Sequence, residues 1–229
     1  MSKSYLSVLP FIFAMALVVV LSNILVNFPV GYSLGSVFLG DLLTYGAFTY
    51  PFAFLVTDLT NRVFGTQKAR RVVAIGFLTA VIASIVVPQI LYAMGLIPVE
   101  YQASIERLTR IAISSGTAFL VAQILDIFVF DQMRDAKWWK APLISSLVGS
   151  FFDTCLFFTL AFSTSFAFLG ENDAFALESA PFLAVFAAMY PRWISWAVGD
   201  FLVKVIVGVV ALAPYKLLLN RIGAISAKA

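Results

Sequence analysis

Several apolar stretches of this chain carry side chains that an apolar environment penalises. Asp58 and Arg62 are four apart, as are Asp200 and Lys204, so on a helix each pair shares one face. Gln123 and Asp126, three apart, also share a face. Asp153 stands among Phe151, Phe152, Phe157 and Phe158, and Asn23 and Asn27 lie one helical turn apart. An ionisable group inside an apolar span costs a few kcal/mol on insertion scales and faces protein or a water-filled cavity, so each is a candidate functional residue. Carboxylates accept hydrogen bonds from adjacent N–H donors, carboxamides read donors and acceptors alike, and aromatic rings cover the faces of a flat molecule. Such a set suits a planar solute rich in donors, with or without a positive charge. It suits a sugar phosphate or other polyanion badly.

The elements that must position these groups are membrane helices. Of 229 residues, 62% are hydrophobic and 12% charged, and mean hydropathy is +0.98. A soluble domain is about half apolar and about a quarter charged, so the expectation is an all-α, polytopic membrane protein forming a single transmembrane domain over residues 1–229. Spans of about 20 apolar residues fit at 6–28, 42–62, 71–95, 107–130, 142–169 and 184–214. Pro51, Pro88 and Gly149 fall inside them, where kinks are tolerated if neighbours compensate. The N-terminal stretch reads as a first span and not as a removed signal peptide.

Lys and Arg set the orientation. Eleven of the fifteen fall on one side: Lys3, Arg62, Lys68, Arg70, Arg71, Arg134, Lys137, Lys140, Lys216, Arg221 and Lys228. Arg107 and Arg110 face the other, among Glu100, Glu106, Glu171, Asp173 and Glu178. Both termini are therefore expected in the cytoplasm. Asp153 lies eleven residues into its span, roughly 16 Å along a helix and near the middle of the bilayer core. SNILVNF (Ser22 to Phe28) and AQILDIF (Ala122 to Phe128), in the first and fourth spans, are compatible with a weak 3+3 inverted repeat.

Each candidate also has a purely structural explanation. Asp58 with Arg62, and Glu106 with Arg110, fit intrahelical ion pairs near an interface, the arginines snorkelling to headgroups. Asp200 with Lys204 fits a self-neutralising pair. Asp126 is near enough to the cytoplasmic boundary to be merely wet. Asp153 has either Lys204 or a ligand for a partner. Asn23 and Asn27 fit helix–helix hydrogen bonds.

Other chemistries find little support. There is no histidine, and the single cysteine, Cys155, cannot form an intrachain disulfide. No Gly-rich phosphate loop, H-E-x-x-H, C-x-x-C or G-x-S-x-G occurs. No catalytic residue, metal ligand or cofactor is expected. The net charge of +3 does not point to nucleic acid; the expected partners are a small molecule, the bilayer and a second copy of the chain as homodimer. Three classes compete: a carrier; the substrate-binding subunit of an ATPase-driven importer; and an integral-membrane enzyme using Asp58, Asp126 and Asp153. The enzyme requires those carboxylates to converge at one depth, whereas the span assignments spread them.

SNILVNFPV (Ser22 to Val30), YGAFTYPFAFLVTDLTNRVFG (Tyr45 to Gly65) with Ala69 to Arg71, RIA (Arg110 to Ala112), QILDIFVF (Gln123 to Phe130), WWKAP (Trp138 to Pro142), Asp153 and Lys204 together make the chain resemble the queuosine precursor transporter family, grouped with vitamin uptake transporters. The stretch through the second span is the specific one. The resemblance implies a six-helix carrier of the bacterial inner membrane that imports 7-deazaguanine precursors: 7-cyano-7-deazaguanine, 7-aminomethyl-7-deazaguanine and queuine. With that substrate, Asp153 and Asp58 are the expected carboxylate acceptors, and Asn23 and Gln123 the readers of the ring edge. Lys204 with Asp200 is the pair expected to change partner, with Asp126 also in the site and Arg62 and Arg110 in structural or gating ion pairs.

Overall fold

A computed structural model describes residues 7–98 and 102–228, with side chains through residue 222. Lys3 and Glu100, used in the charge count above, lie outside the described residues, as does the side chain of Lys228. The elements run α1 (Leu9–Leu25), β1 (Ser33–Leu34), β2 (Val37–Phe38), α2 (Gly46–Thr49), α3 (Phe52–Phe64), α4 (Thr66–Ala93), α5 (Ile105–Gln132), α6 (Lys140–Phe162), α7 (Ala174–Leu177), β3 (Ser179–Phe182), β4 (Phe186–Pro191) and α8 (Arg192–Lys228). Four of these, α4, α5, α6 and α8 as far as Ile222, are long and apolar enough to cross a membrane. α1 is apolar but only 17 residues long. The molecule is a mostly helical, polytopic membrane protein.

The stretch expected to be one helix over 42–62 is two, because Pro51 has no N–H to donate. Around it the bonding shortens to three-residue spacing, with Ala53 N donating to Tyr50 O at 3.0 Å and Phe54 N to Pro51 O at 3.1 Å. α3 then runs 13 residues, about 20 Å, and turns sharply into α4 at Gly65, whose φ of +82° is accessible to glycine. Despite its brevity α3 is the hub. It touches α1, α4, α5, α6 and α8, and every residue from Val56 to Asn61 is buried. Met15 and Val19 of α1, Ala53 and Val56 of α3, Ala69, Val72 and Val73 of α4, and Phe119 and Ile127 of α5 form the apolar core beside it.

Two further boundaries differ from expectation. The fifth span stops at Phe162; Ser163 caps the short 3-10 turn Thr164–Leu169 that follows. The sixth does not begin at 184. Residues 179–191 form the antiparallel hairpin β3–β4, with Leu183 and Ala184 at positive φ in its turn. An apolar run can be strand as readily as helix; here the Phe182 ring meets those of Phe186 and Tyr190 across the hairpin, Pro181 lies within β3 and Pro191 ends β4. The helix begins only at Arg192. Pro88 lies within α4 and Pro214 within α8, neither ending its helix.

α1 and α2 meet where side chains are absent. A Cβ on Gly46 would stand 2.8 Å from Val26 Cα and 2.9 Å from Val26 N, so backbone would have to move. Gly46→Ala is expected to lower stability by about 1–3 kcal/mol, read as a lower thermal unfolding midpoint in detergent; an unchanged midpoint would show that the end of α1 yields freely.

Candidate functional site

Lys204 of α8 is a buried ammonium, 4% exposed. An ammonium carries three N–H donors, and all three are used: to Asp153 Oδ2 at 2.7 Å, to Thr154 Oγ1 at 3.0 Å and to Asp200 Oδ2 at 2.5 Å. Thr154 in turn donates to Asp200 Oδ2 at 2.8 Å. The ammonium also sits 5.6 Å from the centre of the Tyr50 ring, a favourable cation–π distance. Two aspartates against one lysine leave the group with one net negative charge. It ties α6 to α8 and rests on the Pro51 break between α2 and α3.

Above this group lies a cavity of about 390 Å³, within the range of sites for small organic ligands. Asp153, Asp200, Lys204 and Tyr50 form its floor, and Asn23, Ser22 and Ser84 line it with polar atoms. Aromatic rings form the wall: Phe158 meets Phe162 at 5.8 Å, Phe162 meets Trp196 at 5.7 Å and Trp196 meets Phe175 at 5.9 Å. The loop 40–44 closes one side and is held there by Trp196 Nε1, which donates to Asp41 O at 2.8 Å. The cavity thus lies toward the α1–α2 loop and the β3–β4 hairpin, away from the basic loops.

The polar residues singled out by sequence separate into two groups. Asn23, Asp153, Asp200 and Lys204 share the cavity. Asn23 spans α1 and α4, donating to Val19 O at 3.0 Å and accepting from Ser84 at 3.0 Å; Asn27 bonds only back to its own helix, at Asn23 O and Ile24 O. Asp58, Gln123 and Asp126 do not line the cavity. They meet one another deeper, where α3 packs on α5 and α6. Ser145 and Ser146 donate to the two oxygens of Asp58, each at 3.2 Å, and Thr57 donates to Gln123 Oε1 at 2.5 Å. Asp126 lies near enough to interact with Asp58 and Ser145, yet neither of its oxygens completes a hydrogen bond among the described residues. It is wholly buried, so it is not the wet aspartate of the structural explanation.

Neither arginine forms the expected ion pair. Arg62 turns away from Asp58 and donates to Tyr215 Oη at 3.2 Å and Arg134 O at 2.7 Å. Arg134 donates to Asn61 Oδ1 at 2.7 Å, and both guanidinium groups lie over the Phe130 ring, at 4.8 and 5.7 Å. Together they close the basic end of the bundle. Arg110, 1% exposed, bonds no carboxylate; it donates to Leu160 O at 3.0 Å, Ser163 O at 2.7 Å and Asn172 Oδ1 at 2.8 Å. It therefore satisfies carbonyls left open at the end of α6, where a cation also suits the helix dipole. At the same end Arg107 pairs with Asp173 and Arg192 with Glu178, contacts that no spacing within one helix would have found.

Residues 44–218 match the family model described as "Putative vitamin uptake transporter". The chain belongs to the vitamin uptake transporter family. It is 35% identical over 209 residues to "Queuosine precursor transporter" of Escherichia coli K12, covering 90% of this chain and 83% of the relative. It is 35% identical over 188 residues to "Probable queuosine precursor transporter" of Haemophilus influenzae, covering 78% of this chain and 69% of that protein. A "Probable queuosine precursor transporter" of Bacillus subtilis is 28% identical over 187 residues, 77% of this chain and 71% of the relative. No solved structure gives a significant match. The family and these relatives are transporters, so the chain is a transporter-family protein and not an enzyme.

Lys204→Met strands the buried Asp153 and the part-buried Asp200 and is expected to cost about 3–5 kcal/mol, seen as a large drop in the unfolding midpoint. Adding Asp153→Asn and Asp200→Asn to it should recover most of the loss. Asp153→Asn alone keeps the Lys204–Asp200 bond and should unfold close to the parent midpoint; a drop as large as that of Lys204→Met would show that the group is not balanced as drawn.

Proposed function

We propose that this chain carries 7-deazaguanine precursors of queuosine, namely 7-cyano-7-deazaguanine, 7-aminomethyl-7-deazaguanine and queuine, into the bacterial cytoplasm for tRNA modification. The observation that carries the proposal is the cavity floored by Asp153, Asp200 and Lys204 and walled by aromatic rings. The names of the relatives support the substrate class. A bicyclic base fits the volume. Its ring faces lie against Tyr50, Phe158 and Phe162, its adjacent N–H donors meet the carboxylate oxygens that Lys204 leaves free, and Asn23 reads an edge.

In this proposal the protein crosses the inner membrane six times with both termini in the cytoplasm. α1 and the broken α2–α3 segment supply the first two crossings. The cavity then opens outward, and the Arg62–Tyr215–Arg134–Asn61 cluster seals the inner side. Release inward requires the reverse, with Lys204 exchanging its bonds to Asp153 and Asp200 as the base leaves.

The net negative charge of the floor favours a cation. A charge-assisted hydrogen bond contributes about 1.5–3 kcal/mol against about 1 for a neutral one, so the aminomethyl precursor should be taken up from concentrations about tenfold lower than the cyano precursor. The test is to express the chain in cells that cannot make the base, feed each precursor, and measure queuosine in tRNA. Asp153→Asn at normal membrane abundance should abolish the response, and Asp200→Asn should erase the advantage of the aminomethyl form. Unchanged uptake by Asp153→Asn would remove the cavity floor from the binding site, and a flat response to every precursor would remove the substrate class.

A further inference from the structure

Asp58 and Asp126 do not line the cavity, yet they are 1% and 0% exposed and belong to one contact of α3 with α5 and α6, where Ser145 and Ser146 bond Asp58 and Thr57 bonds Gln123, one turn from Asp126. We propose that they form a proton-binding site, separate from the substrate cavity, in which Asp126 holds a proton and donates it to Asp58. The proton is the ion that moves with the substrate, a step that rests on the carrier function proposed above.

No protein cation balances the pair among the described residues. Arg62, on the same helix as Asp58, turns its Nε to Tyr215 and its Nη1 to the Arg134 carbonyl, and its remaining Nη2, buried without an acceptor among the described residues, makes no bond or ion pair to either acid. Arg134, beyond the end of α5, is engaged by Asn61 and Asp131. Lys204 of α8 is held by Asp153, Asp200 and Thr154. Lys68, Arg70 and Arg71 of α4 form no ion pair with either acid. α6 faces the pair with the hydroxyls of Ser145 and Ser146, α8 with the phenol of Tyr215, and α1 presents apolar Met15 and Val19 to α3. Two adjacent carboxylates cannot both stay ionised in so dry a place, and one proton is the smallest charge that resolves the conflict.

The hydrogen bonds assign that proton. Asp58 accepts from both serines, as an ionised carboxylate does. Among the described residues Asp126 accepts from nothing, and both its oxygens are orphaned. Independently, Gln123 Nε2 is also buried without a partner among the described residues. Its amide is fixed at the same contact through Thr57, the residue before Asp58, one turn from Asp126. Unsatisfied valences gathered at one buried point mark a place where a charge is taken up and given away.

The two sites communicate through Lys204. Below it lies a void of about 20 Å³ lined by Lys204, Asp58, Ser146 and Tyr215, room for a single water. A solute that takes over Asp153 and Asp200 frees the ammonium to turn toward Asp58. That turn belongs to the inward-open state, the solute having bound with the proton still on Asp126: the O–H bond of Asp126 breaks, both carboxyls ionise around the ammonium, and the proton leaves through water on the inner side, as the solute does.

Infrared spectroscopy of the purified full-length chain tests the site without any substrate. A carboxylic C=O stretch that shifts in D2O is expected at neutral pH, lost on raising the pH, and absent from Asp58→Asn/Asp126→Asn. No such band in the parent protein, a band retained in the double variant, or a band removed at fixed pH by sodium would overturn the proposal, the last by making sodium the occupant. The titration of the parent protein decides even where the double variant fails to fold. In proteoliposomes holding a pH indicator, uptake of the aminomethyl precursor should acidify the lumen, and Asp126→Asn should remove the pH change. Uptake without acidification by the parent chain would overturn the coupling; an intact band in a protein that moves no precursor would instead defeat the substrate class and leave the proton site standing.

Discussion

The molecule depends on one ammonium placed where ammonium groups are rarely found. Lys204 is desolvated on every side, and such a charge persists only when its hydrogen bonds are complete. Asp153, Thr154 and Asp200 complete them, which fixes the distance and rotation of α6 against α8. Because two acids answer one base, the balance is not neutral. The residual charge is displayed to the cavity rather than buried away from it, so the interaction that holds the two helices also conditions what can bind between them.

α3 supplies the other half of the design. A helix of 13 residues surrounded by five others has no lipid to face along most of its length, so it carries Thr57, Asp58, Thr60 and Asn61 inward without penalty from hydrocarbon. Thr60 returns its hydroxyl to Val56 O at 2.7 Å, and Asn61 reaches Ile127 O at 3.3 Å. Thr57 and Asp58 are left to bond α5 and α6. The break at Pro51 is what lets Tyr50 lie under the cavity while Asp58, two turns on, belongs to a different environment.

Much of this was legible in the chain. Composition alone requires a membrane protein, and depth in the spans brings Asp153 to the level of Lys204. What spacing could not reveal is which way a long side chain turns. Asp58 with Arg62, and Glu106 with Arg110, have the right separation for a pair on one helix, yet each arginine reaches residues more than 45 positions away, where open carbonyls offer fuller satisfaction than a single carboxylate. Asp126 lies close to a span boundary in the chain but deep in the protein, because α5 extends past it to Gln132 and is covered by α3 and α6. The hairpin 179–191 was hidden for a different reason: its Phe, Ala, Val and Met residues have no period that separates a strand from the start of a helix.

The basic end of the bundle has a peculiar construction. Arg62 and Arg134 both pack on one ring, Phe130, with Asp131 paired to Arg134 and one nitrogen of Arg62 left without an acceptor among the described residues. Like charges held against each other make a latch under tension. It stays shut because carbonyls and a phenol catch it, not because its parts attract. Any rearrangement that draws Tyr215 or Asn61 aside removes what holds the two cations together, so this end of the bundle is secured by neutral groups alone.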